Sequence, residues 1–313
     1  MTSVIKNLVT GGAGFIGSNL INRLLKNGEE VICLDNFVTG KKENLIHFRS
    51  NPRLKIINHD INNYINIKAD KIWHLACSAS PKSYYRNPIF TSKTNYIGTL
   101  NMLELAIRMN SKFLLASSSE VYGEPEIHPQ IESYKGSVNN IGIRSCYDEG
   151  KRIAESLCFD FYRQHKCDIK IARIFNTYGP LMKTNDGRVI SNFIIQGLTN
   201  KRLTIYGTGM QTRSFCYIDD LIEALILLMN SNITGPINLG NPFELRILDL
   251  ANIIRLKINK DLNIIFEELP IGDPTRRKPS IELAKKELNW EPKISLDQGI
   301  NKTIDFFKKY INF

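Results

Sequence analysis

Long apolar runs, cysteine pairs and blocks of like charge are all absent from this sequence of 313 residues. Its longest apolar run, around residues 225–229, is far shorter than the roughly 20 residues that span a bilayer. The N-terminus enters a strand pattern without the apolar core of a signal peptide. The six cysteines include no CxxC pair, which disfavours zinc sites and disulfide frameworks. We therefore expect a cytoplasmic protein that holds no metal.

The positive charge of the chain is dispersed. The formal net charge is +10, but Lys and Arg occur singly or in short groups, with no basic helix and no nucleic-acid-binding motif. Hydrophobic residues make up 42% and charged residues 23%, which is ordinary for a globular protein. The charge is therefore better explained by a small anionic ligand than by nucleic acid or a membrane surface.

Short apolar runs alternate with helical segments over the first half of the chain. The predicted strands are residues 4–10, 30–34, 54–58, 71–75, 113–117 and 169–174, and long helices are predicted at residues 88–109 and 147–165. This order predicts an α/β fold, a Rossmann doubly wound parallel sheet, over residues 1–175. Residues 176–313 break into shorter segments and predict a smaller C-terminal substrate-binding region. The run at 237–239 is expected to return to the main sheet, within a segment near 215–240.

A glycine-rich turn joins the first predicted strand to a helix in the stretch TGGAGFIG. Gly11 permits the tight turn, Gly14 lets the backbone approach a pyrophosphate, and Gly17 lets the helix pack on the strand. Asp35 ends the second strand, where its carboxylate can accept hydrogen bonds from ribose hydroxyls and would repel the 2′-phosphate of NADP. We therefore predict bound NAD. Asp60, at the end of the third strand, is expected near the adenine, and a cap of the following turn is the alternative.

Tyr147 and Lys151 lie four residues apart, hence on one face of a predicted helix. A Tyr becomes a useful base at neutral pH only if its pKa falls by roughly 3 units, or about 4 kcal/mol, which Lys151 and the oxidised nicotinamide ring can supply. Ser118 closes a strand at the carboxyl edge of the sheet and can hydrogen-bond the reacting oxygen, although the serine run also suits a capped turn. The pair alone is a frequent chance match, but it follows the glycine motif in the expected order.

In this combination the chain resembles the extended short-chain dehydrogenases, and longer stretches resemble the UDP-glucuronic acid decarboxylases (UDP-xylose synthases) among them. These stretches are LDNF with TG at 34–40, HLAC with ASP at 74–81, SEVYG at 119–123, SCYDEGKR at 145–152, ARIFNTYGP at 172–180, DGRV at 186–189 and QTR at 211–213. The resemblance implies a homodimer built through a four-helix interface from the two long helices. It also implies conversion of UDP-glucuronate to UDP-xylose and CO2 through a 4-keto intermediate, with NAD reduced and re-oxidised in each cycle. Tyr147 would act first as base and finally as acid.

The same resemblance extends the set of expected site residues. Around the departing carboxylate it implies Ser119, Glu120 and Arg277. For NAD it adds Phe15, Ile16, Asn36, Thr39, Gly40, Ile61, Leu75, Thr94, Ser117, Thr177 and Arg188. For the UDP-sugar it implies Pro81, Asn176, Arg188, Asn192, Tyr206, Arg213, Arg276 and Arg277.

Several alternatives and departures accompany this interpretation. A sugar-nucleotide 4,6-dehydratase would need Asp where Ser119 stands, whereas a UDP-sugar 4-epimerase, or a decarboxylase that releases the 4-keto-pentose, remains an alternative. A non-catalytic NAD-binding protein is disfavoured by the intact Tyr147 and Lys151. Ser78 stands where Pro is common, Ser118 where Thr is common, and Leu181 where Arg is usual. Because Leu181 replaces the usual Arg, we expect a difference in the conformation of its loop, or the loss of a phosphate or dimer contact that the Arg would make.

Overall fold

The structure, a computed structural model, describes residues 4–269 and 276–311. A seven-stranded sheet forms its centre, and every neighbouring pair of strands in it is parallel. Its strands are β1 (Lys6–Thr10), β2 (Glu30–Asp35), β3 (Leu54–Asn58), β4 (Lys71–His74), β5 (Lys112–Ser118), β6 (Ile169–Ile174) and β11 (Ile237–Leu239). They are ordered β11-β6-β5-β4-β1-β2-β3, so the predicted doubly wound sheet is confirmed.

Helices cover both faces of this sheet. They are α1 (Phe15–Lys26), α2 (Pro81–Arg86), α3 (Pro88–Lys93), α4 (Thr99–Met109), α5 (Ser145–His165), α6 (Val189–Leu198), α7 (Ile218–Asn230), α8 (Ile247–Ile258), α9 (Glu282–Leu288) and α10 (Leu296–Ile311). Successive strand residues face opposite sides, so Val9 packs in one core with α1 and α7, and Leu8 packs in another with α4 and α5. Burial on both faces explains why these strands read as nearly continuous apolar runs.

The segment predicted as one long helix, residues 88–109, contains a change of helical type. A π-helical turn, Thr94–Gly98, joins α3 to α4. Such turns are frequent at functional sites, and Thr94 lines the central cavity described below.

The second half of the chain adds three small sheets beside the carboxyl edge of the central sheet. The remaining strands are β7 (Thr177–Tyr178), β8 (Leu203–Tyr206), β9 (Thr212–Ser214), β10 (Cys216–Tyr217), β12 (Glu244–Arg246), β13 (Ile264–Glu267) and β14 (Arg276–Arg277). Strand β9 lies between β12 and β14, and its pairing with β14 places Arg277 beside Arg213. Strand β11 pairs with β6, so the chain returns to the central sheet before its C-terminal helices.

Within residues 4–269 and 276–311, no helix is both long enough and apolar enough to cross a membrane.

Candidate active site

A cavity of about 590 Å3 opens where the six strands β1 to β6 end. The parallel strands bring their carboxyl ends to one edge, which is where ligands bind in open α/β sheets. The expected cofactor residues that line it are Gly11, Gly14, Phe15, Ile16, Gly17, Asp35, Asn36, Thr39, Asp60, Ile61, Leu75, Thr94, Ser117, Tyr147, Lys151, Thr177 and Arg188. The expected substrate and catalytic residues that line it are Pro81, Ser118, Ser119, Glu120, Asn176, Asn192, Tyr206, Arg213 and Arg277. Gly40 and Arg276 are the two expected residues outside this lining.

The glycine turn forms a close backbone cradle at one end of the cavity. Gly11 has a φ of 67°, and a Cβ atom on it would lie 2.8 Å from the Cα of Ala76. A Cβ on Gly17 would lie 2.3 Å from the carbonyl oxygen of Gly11. Helix α1 begins directly after Gly14, and no side chain caps its first turn. Its first N–H groups and its dipole therefore suit the pyrophosphate of a dinucleotide.

Gly17→Ala should destabilise the protein, although Gly-to-Ala changes in helices usually stabilise. The added methyl would meet backbone atoms that cannot turn aside, and overpacking of this kind costs about 1–3 kcal/mol. Thermal unfolding and NAD titration would measure the loss. Gly142→Ala is the matched control, because the nearest atoms there belong to the flexible side chain of Asn139. A Gly17→Ala protein that is as stable as the parent and binds NAD equally well would contradict the cradle.

Asp35 is held at the end of β2 by the neighbouring backbone. Its Oδ2 accepts the N–H of Ala13 at 2.9 Å and its Oδ1 accepts the N–H of Phe37 at 2.8 Å. Burial raises the pKa of Asp35, while these hydrogen bonds and the charge of Lys183 act in the opposite direction. A Cβ on Gly40 would lie 2.7 Å from both carboxylate oxygens. Gly40 therefore makes room for Asp35 without facing the cavity itself.

Asp60 accepts hydrogen bonds on both carboxylate oxygens. Oδ1 accepts the N–H of Asn62 at 2.9 Å, as in an Asx turn, and Oδ2 accepts Nδ2 of Asn36 at 3.1 Å. Asp60 therefore both caps the following turn and lines the cavity.

The loop that contains Leu181 is tied to the glycine turn. Leu181 has a φ of 70°, which is uncommon for a residue with a branched side chain. Asn44 donates to the carbonyl of Leu181 at 3.4 Å, and Asn19 donates to that of Pro180 at 3.1 Å. Two residues later Lys183 lines the cavity, close enough to Asp35 to lower the pKa of that carboxyl. The sequence analysis missed this cation at the dinucleotide end of the site.

Tyr147, Lys151 and Ser118 meet in the middle of the cavity wall. The Lys151 ammonium donates to the carbonyl of Ala116 at 2.9 Å and lies 5.8 Å from the centre of the Tyr147 ring. Burial raises the pKa of Tyr147 and the nearby Cys77 adds to this, whereas a hydrogen bond with Ser118 lowers it. The net direction is upward, which opposes the action of the phenol as a base. The positive charge of an oxidised nicotinamide, when bound, would act in the opposite direction.

Glu155 links helix α5 to strands β5 and β6. It lies on the same helical face as Tyr147 and Lys151 and accepts a hydrogen bond from the hydroxyl of Ser117 on β5. It also accepts from Nη2 and Nε of Arg173 on β6, at 2.8 and 3.0 Å. Lys151 and Glu155 lie one helical turn apart on α5. They thus bond to two consecutive residues of β5, Ala116 and Ser117 respectively. This brace holds the phenol of Tyr147 opposite Ser118. The sequence signal for this contact is that Glu155 follows Lys151 by four residues, as Lys151 follows Tyr147.

A second charged cluster lies beside Tyr147, at the end of β5. Oε2 of Glu120 accepts Nη2 of Arg144 at 2.7 Å and Nη2 of Arg277 at 3.1 Å. Burial by itself would raise the pKa of Glu120, but Arg277, Arg144 and Arg213 outweigh it and hold this pKa below its usual value. Arg277 is only 1% exposed, and its Nε and Nη1 have no hydrogen-bond partner within the described ranges. The cluster therefore offers unused donors to an anion in the cavity.

Arg144 and Tyr84 are cavity residues that the sequence analysis missed. Tyr84 stacks on Tyr147 with ring centres 5.3 Å apart, and its buried hydroxyl finds no partner in the part of the chain that the structure describes. Arg144 lies 6.0 Å from the centre of the Tyr84 ring. Its position three residues before Tyr147 was an available signal, whereas Tyr84 is remote in sequence and carried none.

The far end of the cavity is formed by the second half of the chain. Arg213 is buried on β9, and the strand alternation that turns Arg277 inward leaves Arg276 exposed on the other face of β14. Arg188 forms an ion pair with Asp186 and lies 5.6 Å from the centre of the Phe15 ring, between the glycine turn and this region. Asn176, Asn192 and Tyr206 complete the polar lining.

Comparison with known proteins identifies the family of the chain. Residues 8–303 match the family described as GDP-mannose 4,6 dehydratase. The chain is 52% identical to UDP-glucuronic acid decarboxylase 1 of Arabidopsis thaliana over 98% of its own length and 71% of that protein. It is 54% identical to UDP-glucuronic acid decarboxylase 6 of the same plant, over 95% and 87%.

Among solved structures, a UDP-glucuronic acid 4-epimerase of Bacillus cereus in complex with UDP-glucuronic acid and NAD superimposes with a TM-score of 0.89. The two sequences are 30% identical, and the alignment covers 98% of this chain and 100% of the epimerase. The chain thus belongs to the extended short-chain dehydrogenases of the GDP-mannose 4,6 dehydratase family, within the group of the UDP-glucuronic acid decarboxylases.

Proposed function

We propose that the protein decarboxylates UDP-glucuronate to UDP-xylose and CO2 through a 4-keto intermediate. The observation that carries the proposal is Arg277, a buried guanidinium in the wall of the cavity that also holds Tyr147 and Ser118, with two donor atoms to which no described residue bonds. A sugar carboxylate is the anion that would use those donors. The group to which the chain belongs supports the same substrate.

NAD fits the other half of the cavity. The glycine cradle has no room for side chains, helix α1 offers an uncapped N-terminus, and Asp35 presents its carboxylate at the end of β2. Bound there, NAD would accept a hydride from carbon 4 of the sugar and later return it. The carboxylate of Asp35 favours NAD over NADP.

The residues of the chain divide the remaining chemistry between them. Tyr147 takes the proton of the 4-hydroxyl while Ser118 holds the oxygen, and the resulting ketone lies β to the carboxylate on carbon 5. The carbon–carboxyl bond then breaks, CO2 leaves, and the electron pair passes into an enolate. Ser119 and Arg277 orient the carboxylate, and Glu120 disfavours a second anion before the reaction. After carbon 5 is protonated, Tyr147 returns a proton to the oxygen of carbon 4.

Two related activities are less well supported by the cavity. A 4,6-dehydratase needs an Asp-Glu acid and base pair, and Ser119 occupies the first of those positions. A 4-epimerase needs space for the keto-sugar to turn, and the curated relatives at 52% and 54% identity are decarboxylases. Incubation with UDP-glucuronate and NAD should therefore give CO2 and a UDP-pentose. Isomerisation of a UDP-hexose without CO2 would overturn the proposal in favour of an epimerase.

We also propose that two copies associate through α3, α4 and α5. Helices α3 and α4 each contact α5. Large apolar side chains are exposed on these helices at Ile89, Ile107, Ile153 and Tyr162, and at Tyr96 in the π-helical turn between α3 and α4. An isologous four-helix interface would cover them. Light scattering at micromolar concentration should give the mass of a dimer, and a monomeric mass would contradict this assembly.

We further infer that residues 1–175, with the segment near 215–240, bind NAD, that 176–313 mainly bind the UDP-sugar, and that the protein works in the cytoplasm. The cavity walls support the first division. All six cysteines are free thiols, most of them buried, which suits a reducing compartment.

A further inference from the structure

A carboxylate that faces away from the cavity lies directly behind the Glu120 cluster. Asp148 follows Tyr147 on helix α5, and its Oδ2 is 3.7 Å from Nε of Arg144, beyond hydrogen-bond reach. Its Oδ1 is buried and accepts no hydrogen bond from any described residue. The other face of Arg144 is bound to Glu120 at 2.7 Å. Asp148 is therefore a poorly satisfied carboxylate that shares an arginine with the active site.

The surroundings of Asp148 bring its pKa close to neutral pH. Burial first, and then the charge of Glu120, raise its pKa to about 7, against the lowering effect of Arg144 and Arg277. The ionisable groups that face it are Glu120, Arg144, Arg277, Glu149, Tyr84, Cys146 and Tyr147. Glu120 keeps its charge because it takes the direct hydrogen bonds of both arginines. Of the two neighbouring carboxylates, Asp148 is the one that titrates.

The charge of this cluster changes during the proposed reaction. A substrate carboxylate beside Arg277 adds a negative charge close to Asp148, whose pKa Glu120 already raises, and it therefore favours the neutral form of Asp148 further. The reaction also consumes one proton per turnover. The carboxylate leaves as CO2, its bonding electrons stay on the sugar, and a proton that comes ultimately from water completes the new C–H bond at carbon 5.

We propose that Asp148 binds a proton when the substrate carboxylate enters the cavity and loses it once that carboxylate has left as CO2. The proposal rests on the proposed function, because it needs a carboxylate beside Arg277. Asp148 does not line the cavity, so it acts as a positioning residue, through the charge it presents to Arg144 and Glu120. Its protonation offsets the negative charge that the substrate brings. The proton that Asp148 later releases returns to solvent, which also supplies the proton for carbon 5.

Proton uptake on binding can be measured by calorimetry in buffers of different ionisation enthalpy. The NAD-loaded Tyr147→Phe protein should turn over slowly, so UDP-glucuronate can be titrated as a ligand and compared with UDP-xylose, which lacks the carboxylate. At pH 8, above this pKa, Asp148 is mostly ionised in the free site, and a second nearby carboxylate raises its pKa further. We expect uptake of about half a proton or more with UDP-glucuronate at pH 8. Uptake should be near zero at pH 6, and zero at both pH values with UDP-xylose.

Variants of Asp148 test whether this residue takes up the proton when UDP-glucuronate binds. Asp148→Asn in the same background should abolish the uptake, and Asp148→Ser is the second variant if the first does not fold. Glu149→Gln is the matched control, because this neighbouring exposed carboxylate pairs with Arg152 and should leave the uptake in place. Undiminished uptake in both Asp148 variants, or equal uptake with the two ligands, would overturn the inference. Failure of the parent protein to release CO2 from UDP-glucuronate would instead remove the proposed function itself.

Discussion

Tyr147→Phe should lower kcat for CO2 release by about 10²- to 10⁴-fold, the usual contribution of a general acid or base. The phenol is needed twice, to take a proton from the 4-hydroxyl and to return one to the 4-keto oxygen. The substituted ring can still stack on Tyr84, so the binding site keeps its shape. KM for UDP-glucuronate should therefore change little. Initial rates with saturating NAD, together with thermal unfolding of the variant, would separate the lost proton transfer from a lost fold.

Tyr162→Phe is the matched control for this experiment. Tyr162 lies on the same helix and is exposed, outside the cavity lining. Its hydroxyl should contribute nothing to turnover. Comparable rates for the Tyr147→Phe and Tyr162→Phe proteins would show that another group moves the proton.

Arg277→Met should slow decarboxylation by about 10²- to 10³-fold, as expected when one preorganised donor is removed from a developing anion. Glu120 would keep its hydrogen bond from Arg144, so the carboxylate would not be left without a partner. KM should rise as well, because Arg277 offers unused donors to the ground-state carboxylate. Binding of UDP-xylose, which has no carboxylate, should be much less affected and serves as the test that the site is intact.

Arg276→Met supplies the control for the Arg277 variant. The two arginines are adjacent on β14, but Arg276 is exposed and lies outside the cavity lining. It should retain nearly full activity. A normal rate of CO2 release from the Arg277→Met protein would remove the role assigned to that guanidinium.

The sequence predicted those parts of the site that depend on local chain geometry. Gly11 and Gly17 are needed by the tight turn before α1, and the pitch of α5 places Tyr147 and Lys151 on one face. Short stretches of sequence therefore suffice to identify all four residues. The central sheet followed from the alternation of apolar runs with helices. The resemblance to a known group supplied Arg277, which lies far along the chain from the residues it meets.

The missed features depend on contacts between segments that are distant in sequence. Tyr84 approaches Tyr147 only because α2 packs beside α5, and Lys183 approaches Asp35 only through the loop after β7. The state of Asp148 depends on burial and on Glu120, neither of which the motif around it reveals. The upward shift in the pKa of Tyr147 has the same origin, because desolvation is set by the whole fold.

The most direct test of the account uses UDP-glucuronate that carries deuterium on carbon 4, incubated with the enzyme and NAD. We predict that CO2 is released, that the deuterium is recovered on carbon 4 of UDP-xylose, and that no net NADH accumulates. That result would show that the hydride leaves and returns within one catalytic cycle. Deuterium in accumulating NADH together with a UDP-4-keto-pentose, or an isomerised UDP-hexose formed without CO2, would contradict the account.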